Sequence, residues 1–347
     1  MTADDADAEV QPVAYEGESG FALVLEYFTQ EIADAVVADQ DVRASGSDLS
    51  QLASAVIGAL RSDDLPKTRL VLTADLVASV NAREDRTNNP FTMERGAGTV
   101  AAKTMPPDVN GTVDILVPVW WVLPVDGESE DEAAERGAYL QHVAAHEAIH
   151  ASLFHIGGDP FDLHRREGLP YAMANFVSMA SEQAEEHLAE FLGAQTTGRR
   201  VVQNAEQVDA SMRAWQDTLA TRLPAVDPND PDYFQRGMLI TFEALHIFWK
   251  ALAYLAAALR TDDGFEPVPA EVVALPAWQQ YVATWWPRYI ELLHEIPMTV
   301  ELDISAMDEV IRELARHLQT WADDIGFDFH DTAEGGYFRI KLWDDPA

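Results

Sequence analysis

The chain has 347 residues, no cysteine, and 59 acidic against 23 basic side chains, for a formal charge of -36. With 48% apolar residues it can build a real core, so global disorder is excluded, and the length suits about two domains. The absence of cysteine excludes disulfide scaffolds, Cys-ligated zinc ribbons, iron–sulfur sites and cysteine nucleophiles, and so negative a surface repels nucleic acid.

Residues 1–18 carry Asp4, Asp5, Asp7, Glu9, Glu16 and Glu18 and read as an acidic, disordered arm. They show neither a basic n-region nor an apolar h-region, so no signal peptide is expected. The longest purely apolar run, Ile115 to Val125, is 11 residues with two prolines, short of the roughly 20 that cross a bilayer. The expectation is a cytoplasmic protein with no membrane or nucleic-acid partner.

From Phe21 to Val42 the apolar residues Leu23, Leu25, Tyr27, Phe28, Ile32 and Val36 suit a helix, and Asp48 to Leu60 suits another. Residues 19–68 are therefore expected to be N-terminal helices. Three β-rich runs follow at 69–75, 98–105 and 112–123. The last two flank Pro106 to Gly111, a turn of the Asn-Gly type, which predicts a small, mostly antiparallel sheet.

Ser129 followed by Glu132 is a capping box, and it opens a long helix that Gly157-Gly158 ends after His155. A second long helix starts at Pro170 and runs to about Ala194. Beyond residue 200 the pattern is helical near 203–222, 233–260, 276–294 and 305–323, with a last strand at Gly336 to Trp343. Residues 240–259 are apolar nearly all round and read as a buried central helix, with His246 a satisfied core histidine. The fold class expected is α+β, with a core over 69–198 and a mainly helical region over 199–347.

The chemistry-bearing motif is His146-Glu147-Ala148-Ile149-His150, an HExxH sequence in the first long helix. Residues four apart lie one above the other on a helix, so both imidazoles can face one ion while Glu147 reaches a water beside it. Chance occurrence at this chain's composition is only about 0.02 per chain. Zinc suits imidazole nitrogen, and three protein ligands leave a fourth position open.

The metzincin pattern fails, since Leu153 and Ile156 stand where a glycine and a histidine are required. Candidates for the third ligand are His155, His164 and the cluster Glu182, Glu185, Glu186 and Glu190 on the second helix. There Val177, Ala180, Ala184, Leu188 and Phe191 make one apolar stripe, which turns Glu186 and Glu190 toward a neighbour. Glu182 and Glu185 stay open as ligands on this reading.

Here the chain resembles the gluzincin class of zinc peptidases, whose thermolysin-like members follow HExxH with Glu-x-x-x-Asp on a later helix. The resemblance implies a zincin-like core, Glu186 as third ligand and Glu190 as the acid that orients a ligand histidine. Leu188, Phe191 and Leu192 match the class's apolar spacing, while Glu190 replaces the usual Asp and the interval from His150 to Glu186 is longer. The order of sheet, HExxH helix and Glu helix is also similar to the ImmA/IrrE-type peptidases, although Ala189-Glu190 stands where their Ala-Asn pair is usual.

The activity implied is zinc-dependent hydrolysis of a peptide or protein substrate, with Glu147 as general base. The strand at Thr112 to Val119 is a candidate to pair with that substrate. His155 and Tyr171 are candidates to stabilise the transition state, each set against an ordinary packing role. His142, one turn before His146, reads as a buried supporting histidine. The alternative from another class is a catalytically silent zincin fold used for binding or regulation.

Overall fold

The computed structural model describes residues 13–16, 20–29, 32, 34, 48–84, 91–95, 98–123, 125–156, 168–227, 229–230, 232–301, 304–332 and 335–340. It is an α+β protein with a small sheet, and the chain divides into two compact units. Residues 1–94, 99–158 and 192–200 make the first, and 95–98, 159–191 and 201–347 the second. The division thus differs from a boundary near 199, because the N-terminal segment completes the sheet and most of the second long helix groups with the C-terminal helices.

The first unit is built on strands β1 (Val13–Glu16), β2 (Ala22–Glu26) and β3 (Thr68–Thr73). Helix α1 (Asp48–Ala59) precedes β3 and α2 (Leu76–Arg83) follows it. Short strands β4 (Glu94–Arg95), β5 (Gly98–Thr99) and β6 (Lys103–Thr104) then lead to β7 (Val113–Pro118). The main sheet has the order β1-β2-β3-β7-β6. Its outer pairs are antiparallel, but β2 with β3 and β3 with β7 are parallel, so the sheet is mixed rather than mostly antiparallel. The Asn-Gly turn does join β6 to β7: Gly111 has φ +79°, and the Asp108 carboxylate accepts from the Asn110 and Thr112 N–H groups. The parallel pairs follow from the long connections through α1 and α2, which return the chain in the same direction.

Two expectations for the N-terminal segment change. Val13–Glu16 is a strand, not part of a disordered arm, and residues 22–26 are a strand instead of a helix start. Leu23 and Leu25 pack on one face of the sheet and Val24 on the other, a division that only a neighbouring strand enforces. Of the remainder of that expected helix, Ile32 and Asp34 are helical and residues 35–42 lie outside the described set.

Both sheet faces are covered. On one side Leu70, Leu72, Val113, Ile115 and Val117 meet Leu52 and Val56 of α1. Ala144, Ala148 and Ala151 of α3 (Glu130–His155) pack there too. On the other side Val71 and Leu116 meet Leu76 and Val80 of α2. At this second face Asp114 is buried between Arg69 (2.6 Å) and Arg83 (2.7 Å), and Arg83 also reaches Glu26 at 2.5 Å. Burial on both faces is why β3 and β7 read as near-continuous apolar runs.

Helix α4 (Tyr171–Thr197) contributes residues 171–191 to the second unit. It is followed there by α5 (Ala205–Arg222), α6 (Tyr233–Leu259), α7 (Ala270–Val273), α8 (Pro276–Tyr281), α9 (Trp286–His294) and α10 (Ile304–Asp324). The helix expected over 276–294 is two, since Pro287 at the start of α9 cannot continue α8. A two-residue hairpin, β8 (Arg260–Thr261) with β9 (Gly264–Phe265), ends α6. At the C-terminal end β10 (Phe327–Thr332) pairs with β11 (Gly335–Ile340), where only the second strand is expected from sequence. By length and composition α6 is apolar enough to cross a membrane, with half of its most apolar window buried in the fold. Its Phe248 and Trp249 sit in an aromatic core with Trp215 and Trp321.

Two histidines of this unit, one buried and one partly buried, set an acid limit. His187 is fully buried with Nε2 3.0 Å from the Arg260 guanidinium. Burial first, and Arg260 second, depress its pKa to about 3; burial, with Arg288, depresses His317 to about 4. Below the ordinary histidine pKa the unfolded chain binds protons that the folded chain refuses, so stability falls as pH drops from about 6.5 toward 3–4. Each ring contributes a slope of at most about 1.4 kcal/mol per pH unit. Urea unfolding between pH 7 and 4 is expected to show this loss, and His187→Gln, whose amide oxygen can still face Arg260, is expected to flatten it.

Candidate metal centre

The capping box forms as the sequence dictates: the Ser129 hydroxyl accepts from the Glu132 N–H, and the Glu132 carboxylate accepts from the Ser129 N–H. It starts α3 in the register that carries His146 and His150 onto one buried face, 8% and 9% exposed. Their Nε2 atoms stand 3.0 Å apart with ring centroids at 4.8 Å. Two imidazole nitrogens this close either share a proton or converge on a cation.

Close approach of the C-terminal end of α4 to α3 depends on Gly193. A Cβ there would lie 3.1 Å from the His146 N and 3.2 Å from its Cα. Glycine removes that obstacle, and its lack of a side chain lets the two helix backbones meet beside the first imidazole. Two turns earlier on the same helix stands Glu186. One nitrogen each from His146 and His150 and one carboxylate oxygen of Glu186 all lie within 4.8 Å of one another, a group that could hold a metal ion.

The donor set fits a divalent cation. A tetrahedral ion about 2.0–2.1 Å from each ligand spaces its donors by about 3.3 Å. The imidazole pair already matches that spacing, and a carboxylate can close the rest by turning about its χ angles. Among the described residues Glu182, Glu185, Glu190 and His155 do not join the group. Glu182 is exposed and pairs with His246 at 2.7 Å. Partial burial raises its carboxyl pKa, but His246 and Lys250 outweigh that and leave it below the ordinary value. His246 is therefore the partner of an acid and not a core histidine. Glu190 is buried one turn beyond Glu186.

Two transition-state candidates are placed elsewhere. His155 Nε2 lies 3.0 Å from the Thr68 hydroxyl at the start of β3, and burial depresses its pKa, so it ties α3 to the sheet. Tyr171 is 51% exposed at the first turn of α4, fifteen residues before Glu186 and thus about 22 Å away along the helix axis. His164 lies outside the described residues. His142 is buried one turn before His146 and is not among the three donors.

Glu147 faces the sheet edge. Its Oε2 accepts from the Thr104 backbone N–H at 2.6 Å and lies 2.7 Å from the Thr104 hydroxyl, which is also 2.8 Å from the Glu147 carbonyl. Thr104 belongs to β6, the outermost strand, and its neighbour Met105 directs its own N–H inward to Asp114. Alternation along the strand is what turns the Thr104 N–H outward to the carboxylate. Strand β7 is not an edge: β3 pairs with its whole length and β6 with Ile115 and Leu116, so a peptide cannot add there.

Comparison with protein-family models, with curated proteins and with solved structures returns no match. The site therefore stands on its own geometry.

Sequence reasoning misses the partners of Glu186. Lys250 of α6 binds its Oε1, and the Tyr254 hydroxyl donates to Oε2 at 2.6 Å. The signal is present in the sequence: His246, Lys250 and Tyr254 recur every four residues in an otherwise apolar helix, matching Glu182 and Glu186 on α4. The pairs Glu182–His246 and Glu186–Lys250 run in the same order along both helices, so α4 and α6 lie side by side and parallel.

Proposed function

We propose that the protein is a zinc metallopeptidase with a zincin-like core, its ion held by His146, His150 and Glu186. The observation that carries this reading is the convergence of two buried imidazoles and one carboxylate within 4.8 Å, with an acid directly beside the first histidine in sequence. A nitrogen-rich set with one carboxylate suits zinc better than magnesium or calcium, which prefer oxygen throughout.

When bound there, zinc supplies Lewis-acid activation of water and of a scissile carbonyl. Glu147 is the general base: it accepts a proton from the attacking water and passes it to the leaving amine. Thr104 limits its motion by holding Oε2, so the carboxylate is oriented before substrate arrives. The substrate class is a peptide or protein in extended form.

The test has two readouts. Purified protein is expected to bind about one zinc per chain and to cleave a peptide library in a chelator-sensitive way. Zinc binding without any cleavage would replace this reading with a zincin scaffold used for binding or regulation. Absence of zinc binding would remove both.

A further inference from the structure

We propose that Lys250 is an internal competitor for the metal, a cation that occupies Glu186 until an ion displaces it. The proposal rests on the metal-centre reading and adds how occupancy of that centre is controlled. Both oxygens of Glu186 are engaged from α6: Oε1 by the Lys250 ammonium and Oε2 by the Tyr254 hydroxyl. The two contacts differ in kind. Tyrosine is neutral and can keep its hydrogen bond while the carboxylate also faces an ion. Lysine brings a full positive charge to the side chain that completes the metal group.

An ammonium and a divalent ion on one half-buried carboxylate repel strongly, because little water lies between them to screen the charges. One of them must leave. Lys250 is equipped to do so, since its side chain is 36% exposed and its ammonium sits on a flexible four-carbon stem. Its neighbours Phe248, Trp249, Leu252 and Ala253 are buried and keep the helix in place when the side chain swings out. The ion pair with Lys250 neutralises Glu186; a bound ion would send Lys250 to solvent, and the Tyr254 hydrogen bond would remain to orient the ligand. The centre consequently fills only when free metal is abundant enough to pull Glu186 from its lysine.

A structural role for the same ion pair predicts the opposite sign. If Lys250 only positioned Glu186, its removal would weaken metal binding. The experiment is zinc affinity of the full chain, measured by competition with a chromophoric chelator at fixed pH and salt. Lys250→Met is expected to bind zinc at least about tenfold tighter than wild type, with Lys250→Gln giving the same sign and a second chance at a folded variant. Lys250→Arg keeps the charge and is expected to stay within about threefold of wild type, and Tyr254→Phe is expected to bind several-fold more weakly. Unchanged or weaker binding by both Lys250→Met and Lys250→Gln, in a protein whose wild type binds zinc, overturns the competitor and leaves the metal centre standing. Failure of wild type and both variants to bind zinc overturns the competitor and the metal centre together.

Discussion

Glu147→Gln is expected to lower peptide cleavage by about 10²- to 10⁴-fold while leaving zinc stoichiometry unchanged. The substitution removes the basic oxygen and little else. The glutamine carbonyl can still accept from the Thr104 N–H, which now donates to Glu147 at 2.6 Å, so the tie between α3 and β6 persists. What weakens is the charge on that bond, worth about 1 kcal/mol of stability. Parallel measurements of turnover, bound zinc and urea unfolding separate the outcomes. Retained turnover would refute the role of Glu147 as base, whatever the metal content.

His150→Ala is expected to abolish stoichiometric zinc binding and, with it, cleavage. Structural zinc sites are worth roughly 10–16 kcal/mol over four ligands, so one ligand accounts for about 3 kcal/mol, at least a hundredfold in affinity. The loss of a convergent donor is decisive here because the imidazole pair, 3.0 Å apart, forms the closely spaced part of the group. His142→Ala supplies the control. It removes a buried histidine from the same helix, one turn away, but not a member of the three-donor set, and is expected to keep about one zinc per chain. Equal metal content in the His150→Ala and wild-type proteins would sink the assignment.

Much of this centre is legible from local rules. The Ser129–Glu132 box and the four-residue spacing of His146 and His150 place both imidazoles on one face before any tertiary contact is known. The apolar stripe of α4 did not reveal that Glu186 packs against α6, where Lys250 and Tyr254 bind it. Glu182, Glu185 and Glu186 were likewise separable only in space, where Glu182 goes to His246 and Glu186 joins the histidines. For Tyr171 and His155 the chemistry of the side chain suggested a role, and only the fold shows their surroundings: Tyr171 exposed at the start of α4 and His155 bonded to Thr68.

Composition, capping and helical periodicity are short-range properties, and they sufficed for the α+β class, the bounds of α3 and the pairing of two histidines. Interactions between segments far apart in the chain carry no such local mark. Residues 22–26 satisfy a helix or a strand equally until β3 lies beside them, and the parallel pairing of β3 with β7 depends on where two crossovers return the chain. Thr104 on Glu147, Lys250 and Tyr254 on Glu186, and the glycine at the α3–α4 approach likewise exist only because the backbone brings them there. Local sequence sets which groups are available for chemistry, whereas packing of distant elements settles which of them meet.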